Sequence, residues 1–108
     1  FEQFMDDYQV IAFDEGQFFE ELDDVIKVLM SNGKHVIVSA LQGDANMKSW
    51  DTVSKLIPLA NEIIHVKALC VKCHKEASYT KRLVAVKNQI CVGGKDKYMA
   101  CCYMCYNI

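Results

Sequence analysis

"YQVIAFDE", residues 8–15, is an uninterrupted β-prone run that ends on two adjacent carboxylates, Asp14 and Glu15. A continuous apolar run of this length is typical of a strand that is buried on both faces, as the strands of a parallel sheet are. The stretch therefore predicts the first strand of such a sheet. Its acidic pair lies at the carboxyl end of the strand, where open α/β sheets bind ligands. On this pattern alone, a solvated pair that faces a loop is an equal alternative.

The segments that follow predict a βαβ unit. "EELDDVIKVLMSNGK" (20–34) opens with acidic residues, repeats apolar residues at helical intervals and stops at Asn32-Gly33, a favourable C-terminal capping pair. "KHVIVSAL" (34–41) then predicts a second buried strand, and strand, helix and strand form a βαβ unit with a right-handed crossover. The fold class is α/β.

Two further elements are expected in this part of the chain. "DTVSKLIPLAN" (51–61) predicts a short helix that is capped by Asp51 and disturbed by Pro58. "EIIHVKAL" (62–69) predicts a further strand. We expect residues 1–69 to form one domain and residues 70–108 a second, smaller one.

Composition excludes several kinds of partner. The chain has 108 residues, of which 52% are hydrophobic and 24% charged, and its net charge of −2 offers no basic excess for a nucleic-acid backbone. It contains no apolar run of the roughly 20 residues that span a bilayer, and no signal-peptide pattern at its start. We therefore expect a cytoplasmic protein without nucleic-acid or membrane partners. Because the chain begins at Phe1 and not at a methionine, we also expect it to be a fragment.

Residues 70–108 hold all six cysteines and few core-sized apolar runs, so this part needs a staple in place of a large core. Two C-x-x-C pairs occur here, and each can aim two thiolates at one metal ion from a tight turn. The spacing predicts a structural zinc site, whose four thiolates leave no position open for substrate. The proposed ligands are Cys70, Cys73, Cys102 and Cys105.

Alternatives to this ligand set exist. Disulfides or a single redox pair would use the same cysteines, although an intracellular chain keeps its thiols reduced and a redox pair leaves the second C-x-x-C unexplained. His74 is a further candidate ligand beside Cys73. Cys101 competes with Cys102, but only Cys102 has two-residue spacing to Cys105, so Cys101 and Cys91 are expected to be plain buried thiols. Between the pairs, "YTKRLVAV" and "NQICVGG" predict a β-hairpin or flap.

Several blocks in order resemble one enzyme family. They are "DEGQFF", "VIVSAL", "PLANEI", "ALCVKCHKEASYTKR", "VGGKDKY" and "CCYMC". Together they look like the C-terminal two-thirds of a type II thymidine kinase, the family of cellular and poxvirus-type enzymes. The resemblance implies part of a P-loop core with a zinc-bound lasso domain. It also implies transfer of the ATP γ-phosphoryl group to the 5′-hydroxyl of thymidine, Mg²⁺ bound with ATP, and a homotetramer.

The resemblance also implies roles for individual residues. Glu15 matches the general base that takes the proton from the 5′-hydroxyl, and Asp14 matches the acid that holds Mg²⁺ through water. Other positions match the nucleoside pocket or the flap that folds over the thymine, where the base is read largely through main-chain hydrogen bonds: Phe18, Leu41, Trp50, Thr80, Val92 and Tyr98.

The chain departs from the family pattern in two places. "LQGDANMKSW" (41–50) has Gln42, Ala45 and Met47 where the family usually has Asp, Phe and Arg, which alters the expected pocket floor. No G-x-x-x-x-G-K-[ST] motif occurs, so the 108 residues lack an anchor for the triphosphate and we expect them to be inactive alone. Two alternatives therefore stay open: a noncatalytic zinc-ribbon interaction module, and a degenerate kinase-like protein.

Overall fold

The computed structural model describes residues 7–83 and 98–107 of the chain. These residues form two compact units. The first comprises residues 7–42 and 49–63, and the second comprises residues 43–48, 64–83 and 98–107. Helices and short sheets occur together, which confirms the α/β class; that residues 1–69 and 70–108 are the two functional domains stays a prediction.

The first unit is built on the predicted βαβ arrangement. Strand β1 (Val10–Phe13) pairs in parallel with strand β2 (His35–Val38), and Val10 lies opposite His35. Helix α1 (Leu22–Ser31) connects them. Its buried residues recur at helical spacing and form the core of this unit: Leu22, Ile26 and Leu29. The helix ends at Asn32, and Gly33 adopts φ 75°, a left-handed conformation that suits glycine at a helix end.

The prediction that both strands are buried on both faces is wrong for the described residues. Along β1 and β2 exposed residues alternate with half-buried ones, and Val10 and Ile37 remain 54% and 50% exposed. The reason is topological, because each strand has only the other as its neighbour in the part of the chain that the structure describes. A continuous apolar run is typical of a strand that other elements cover on both faces. Whether those elements are present does not depend on the sequence of the strand itself.

Helix α2 (Asp51–Leu56) continues into a 3-10 turn (Ile57–Leu59) that contains Pro58, as the disturbed pattern predicts. The predicted cap at Asp51 is wrong by one residue. Trp50 is the N-cap and makes no side-chain cap bond, while Asp51 is the first residue of the helix. The first turn is tied down instead by Thr52, whose hydroxyl donates to the Phe19 carbonyl oxygen at 2.8 Å.

The predicted strand over residues 62–69 is largely absent. Only strand β3 (Ala68–Leu69) forms, and it pairs antiparallel with β4 (Glu76–Ala77) in the second unit. Before it, Ile64 and Val66 are 73% and 83% exposed. The turn between the strands is closed by the Cys70 amide, which donates to the Lys75 carbonyl oxygen at 2.8 Å. The first cysteine pair therefore lies in the turn that joins β3 and β4.

The second unit also contains strand β5 (Tyr79–Arg82), which pairs antiparallel with β6 (Tyr98–Cys101), and helix α3 (Tyr103–Tyr106). Residues 79–82, at the start of the predicted flap, thus form a strand, whereas its second half, with Cys91 and Val92, lies outside the described residues. The buried core of the unit is small and rich in sulfur: Cys70, Ala77, Cys101 and Cys105. A core of this size agrees with the expected need for a staple.

No helix within residues 7–83 and 98–107 combines the length and the apolar character that crossing a membrane requires.

Candidate functional site

The two C-x-x-C pairs come together in the second unit. The four Sγ atoms of Cys70, Cys73, Cys102 and Cys105 all lie within 4.8 Å of one another, and those of Cys73 and Cys102 are 3.6 Å apart. Zinc–sulfur bonds of about 2.3 Å in a tetrahedron place sulfurs about 3.8 Å apart, so the spacing fits a metal ion. His74 and Cys101 do not belong to the group. The four cysteines are thus positioned to bind a metal, as the spacing predicts.

Backbone geometry explains why the thiols converge. The first pair lies in a turn in which the His74 amide donates to the Cys70 carbonyl oxygen at 2.9 Å, and His74 adopts φ 64°. The second pair lies at the start of α3, where the Tyr106 amide donates to the Cys102 carbonyl oxygen at 2.9 Å. The Val71 amide, within the first pair, donates a hydrogen bond of 3.0 Å to the carbonyl oxygen of Ala100, just before the second pair, and so joins the two C-x-x-C segments.

The surroundings favour the thiolate at two of the four cysteines. Hydrogen bonds from the backbone amides of Cys102 and Cys73 lower the pKa of Cys70 to about 6, and the Cys105 amide lowers the pKa of Cys102. Hydrogen bonds with the side chains of Cys102 and Cys70 raise the pKa of Cys105 to about 12. The lowered pKa values favour the thiolate, the form that binds metal ions, at Cys70 and Cys102, whereas the raised pKa of Cys105 keeps its thiol protonated until a metal ion displaces the proton.

Cys101 behaves differently from its neighbours. Its side chain is fully buried, and burial raises the pKa of its thiol. It therefore packs as a neutral apolar group beside Tyr79 and Met99, in agreement with the expectation of a buried thiol.

The acidic pair lies directly after β1 in the first unit, and both side chains are exposed. Asp14 Oδ1 accepts hydrogen bonds from the Glu15 amide at 2.9 Å and from the Ser39 hydroxyl at 3.0 Å. Ser39 follows β2, and its amide donates to the Phe13 carbonyl oxygen at 2.9 Å. The parallel pairing of the two strands thus brings a hydroxyl from the second strand end to the carboxylate of the first.

The backbone at the acidic pair is unusual. Glu15 adopts φ 55° and ψ 46°, the left-handed conformation that residues with a side chain rarely take. The next residue, Gly16, packs so closely on β2 that an added Cβ would lie 2.6 Å from Val38 Cγ1. Strain of this kind persists only where surrounding contacts enforce it, and it concentrates at functional sites.

Gln17 is a residue that sequence reasoning missed. It lies in the 3-10 turn Gly16–Phe18 and is only 5% exposed. Its Nε2 donates to Glu15 Oε2 at 2.7 Å, and its Oε1 accepts from the Leu41 amide at 3.1 Å. Gln17 is part of the motif "DEGQFF", but no sequence pattern indicates which partners a glutamine side chain will bind.

Aromatic residues predicted to contact the nucleoside lie together in the first unit. The rings of Phe18 and Trp50 meet edge to face, with centroids 5.7 Å apart. Trp50 is buried at 6% exposure, while Phe18 and Leu41 are about half exposed, at 51% and 49%. The structure therefore brings Phe18 and Trp50 into contact, whereas Leu41 is linked through Gln17 to Glu15.

The predicted base contacts of the second unit share one face of the β5–β6 ribbon. Thr80 lies opposite Ala100, and Arg82 lies opposite Tyr98, so their side chains point to the same side. The Arg82 guanidinium lies 5.7 Å from the centre of the Tyr98 ring. Tyr79 belongs to the other face, where it packs against Tyr103 with centroids 5.7 Å apart. Val92, the remaining predicted contact, lies outside the described residues.

The atypical segment that follows Leu41 forms a closed loop over residues 43–48 of the second unit. Asp44 is buried, and its Oδ1 accepts from the amides of Asn46 and Lys48 at 2.8 and 3.0 Å. The Tyr106 hydroxyl donates to the Ala45 carbonyl oxygen at 2.6 Å. Ala45 is therefore a buried loop residue anchored beside the cysteine cluster.

Comparison with known proteins places most of the chain in one family. A family model described as thymidine kinase matches residues 2–106. The thymidine kinase of Raccoon poxvirus is 43% identical over 100 residues, which cover 93% of this chain and 56% of that protein. The cytosolic thymidine kinases of Gallus gallus and Homo sapiens are 42% and 41% identical over 97 residues, covering 90% of this chain and 43% and 42% of those proteins. The chain thus spans about half the length of these curated relatives.

Proposed function

Because the chain belongs to the thymidine kinase family, we propose that its protein transfers the γ-phosphoryl group of ATP to the 5′-hydroxyl of thymidine and forms dTMP. The observation that carries the proposal is the acidic pair after β1, exposed at the strand end and held there by Ser39 and Gln17. Exposed carboxylates with fixed positions at such a strand end suit a reaction that depends chiefly on positioning and charge neutralisation.

In this mechanism Glu15 is the general base. Its carboxylate accepts the proton of the 5′-hydroxyl as the hydroxyl oxygen bonds to the γ-phosphorus and the bond to the departing ADP breaks. Asp14 would hold Mg²⁺ through water, and its fit rests on its exposed carboxylate, since Oδ1 is anchored by Ser39 and the Glu15 amide. Bound with ATP, Mg²⁺ neutralises phosphate charge.

The proposal includes the nucleoside contacts that the family resemblance implies. Phe18, Leu41 and Trp50 would form apolar walls around the base, supported by the edge-to-face contact of the two rings. Thr80 and Tyr98 would contact the thymine from the ribbon face that they share, and Val92 would contribute main-chain hydrogen bonds. Ala45 and Met47 replace an aromatic and an arginine of the family pattern, so we expect the nucleoside preference to differ from that of typical members.

The cysteine cluster would hold structural zinc. Its four sulfurs fit one tetrahedral ion. An ion bound by four protein ligands has no coordination position left for a substrate. The ion would stabilise a unit whose buried core is small and would hold the β5–β6 ribbon in place. Zinc here supports the substrate-binding elements and takes no part in phosphoryl transfer.

The remaining parts of the proposal come from the family resemblance. The 108 residues contain no G-x-x-x-x-G-K-[ST] motif, so phosphate binding would require residues outside this sequence. We further propose a homotetramer that acts in the cytoplasm and does not bind nucleic acid or membranes.

An activity assay on the protein as its gene encodes it tests the proposal. With thymidine, ATP and Mg²⁺ we expect dTMP and ADP in equal amounts, and no dTMP when Mg²⁺ is left out of the zinc-loaded sample. Chain that binds zinc and remains folded but forms no dTMP would contradict the proposal and favour the zinc-ribbon module or the degenerate kinase.

A further inference from the structure

The side-chain amide of Gln17 is buried beside the exposed carboxylate of Glu15. It is 5% exposed, whereas the neighbouring Glu15 points to solvent. Burying an amide costs free energy unless its donor and acceptor both find partners. The turn Gly16–Phe18 places Gln17 where both do, which indicates that the side chain is held in one orientation.

The two hydrogen bonds of Gln17 connect different parts of the first unit. Nε2 donates to Glu15 Oε2 at 2.7 Å, a short charge-assisted bond. Oε1 accepts from the backbone amide of Leu41, which follows β2, at 3.1 Å. The amide therefore fixes the carboxylate after the first strand relative to the backbone after the second.

Glu15 needs such a partner because its backbone conformation does not fix the rotamer of its side chain. It adopts φ 55°, and an exposed glutamate is free to sample several rotamers. The Gln17 contact selects one of these and occupies Oε2. Oε1 does not take part in this hydrogen bond, which leaves that oxygen to accept a proton.

We propose that Gln17 is the positioning residue for Glu15, holding the carboxylate in the orientation in which Oε1 takes the proton of the substrate hydroxyl. This inference rests on the proposed function, in which Glu15 is the general base. Gln17 itself contacts neither substrate nor ATP in this account. Because the same amide binds the Leu41 backbone, it also aligns the base with a predicted wall of the nucleoside pocket.

Replacing Gln17 with methionine tests the role, because methionine has a similar length and shape but neither hydrogen-bonding group. We expect kcat for thymidine phosphorylation to fall about 10- to 100-fold, the usual cost of losing a group that orients a reacting residue. The KM for thymidine should change far less, since Gln17 does not bind the nucleoside. A folded Gln17→Met protein with unchanged kcat would overturn the inference.

Two further variants accompany Gln17→Met. Gln17→Glu keeps an acceptor for the Leu41 amide but puts a second carboxylate beside Glu15, so we expect both kcat and the thermal transition to fall, because two like charges repel in a site with little solvent. Asn32→Ala is the matched control, because Asn32 makes an amide hydrogen bond of 2.8 Å to Val28 in the same unit but on an exposed helix end. Its kcat should equal that of the wild type.

Crystallography decides the matter independently of activity. In Gln17→Met we expect the Glu15 carboxylate to move by more than about 0.5 Å, beyond the tolerance within which reacting groups are held. An unmoved carboxylate would overturn the inference even if kcat fell. Absence of thymidine phosphorylation by the wild-type protein would refute the proposed function, while the position of Glu15 would still show whether Gln17 orients it.

Discussion

Close packing at Gly16 constrains the acidic pair as much as its hydrogen bonds do. The Gly16 amide donates to the Ser39 carbonyl oxygen at 2.9 Å, and Val38 Cγ1 occupies the space that a Cβ would need. Glycine is therefore required here for close approach, and the adjacent left-handed Glu15 follows from the same turn. The position of Glu15 is in this way constrained by the packing of its turn against the end of β2.

Substitution of Gly16 by alanine tests this constraint. An added Cβ at 2.6 Å from the stiff, β-branched Val38 forces a shift of the turn, and overpacking of this kind costs about 1–3 kcal/mol. We expect a lower denaturation midpoint together with a reduced kcat. Gly43→Ala is the matched control, because the nearest atom to its Cβ would be the Lys48 carbonyl oxygen at an ordinary 3.5 Å. Equal midpoints for the two variants would refute the packing argument.

The cysteine turns are the elements on which the second unit depends. They join β3, β4, β6 and α3 around four converging sulfurs, and the cluster itself forms much of the buried core. Since the pKa of Cys105 is raised to about 12, we expect zinc binding to displace a proton from its thiol. Metal binding and folding of this unit are therefore expected to be coupled.

Removing one thiolate tests that coupling. Cys73→Ser should reduce zinc below one ion per chain, measured by inductively coupled plasma mass spectrometry, and lower the melting temperature of the second unit. Cys101→Ala is the control, because it removes a buried thiol directly beside a ligand without touching the group of four. The assigned ligand set would be wrong if Cys73→Ser still bound one zinc ion per chain. It would also be wrong if Cys101→Ala lost the zinc ion.

Elements with strong local signals could be predicted from sequence. The helix end at Asn32-Gly33, the parallel pair around it and the convergence of the C-x-x-C pairs all follow from periodicity, capping or ligand spacing. The strand predicted over residues 62–69 was wrong, because an apolar run becomes a strand only where a partner offers hydrogen bonds. Gln17 escaped notice because its role depends on a contact with Leu41, far along the chain.

At the scale of the molecule, this member of the thymidine kinase family contains an acidic pair after β1 and a unit with four clustered cysteines. It covers about half of its curated relatives, with 56% of the Raccoon poxvirus enzyme and 43% of the Gallus gallus enzyme. The proposed reaction also requires a triphosphate anchor, for which the 108 residues contain no motif. The full activity is therefore a property to be measured on the protein that its gene encodes.

The central claim is that Glu15 is the general base of thymidine phosphorylation. The most direct test compares kcat of Glu15→Gln with that of the wild type in this protein, using Glu20→Gln, a neighbouring exposed glutamate, as control. We predict a loss of at least about 100-fold for Glu15→Gln, with thymidine affinity and zinc content retained and Glu20→Gln unaffected. A Glu15→Gln protein that phosphorylates thymidine at the wild-type rate would contradict the account.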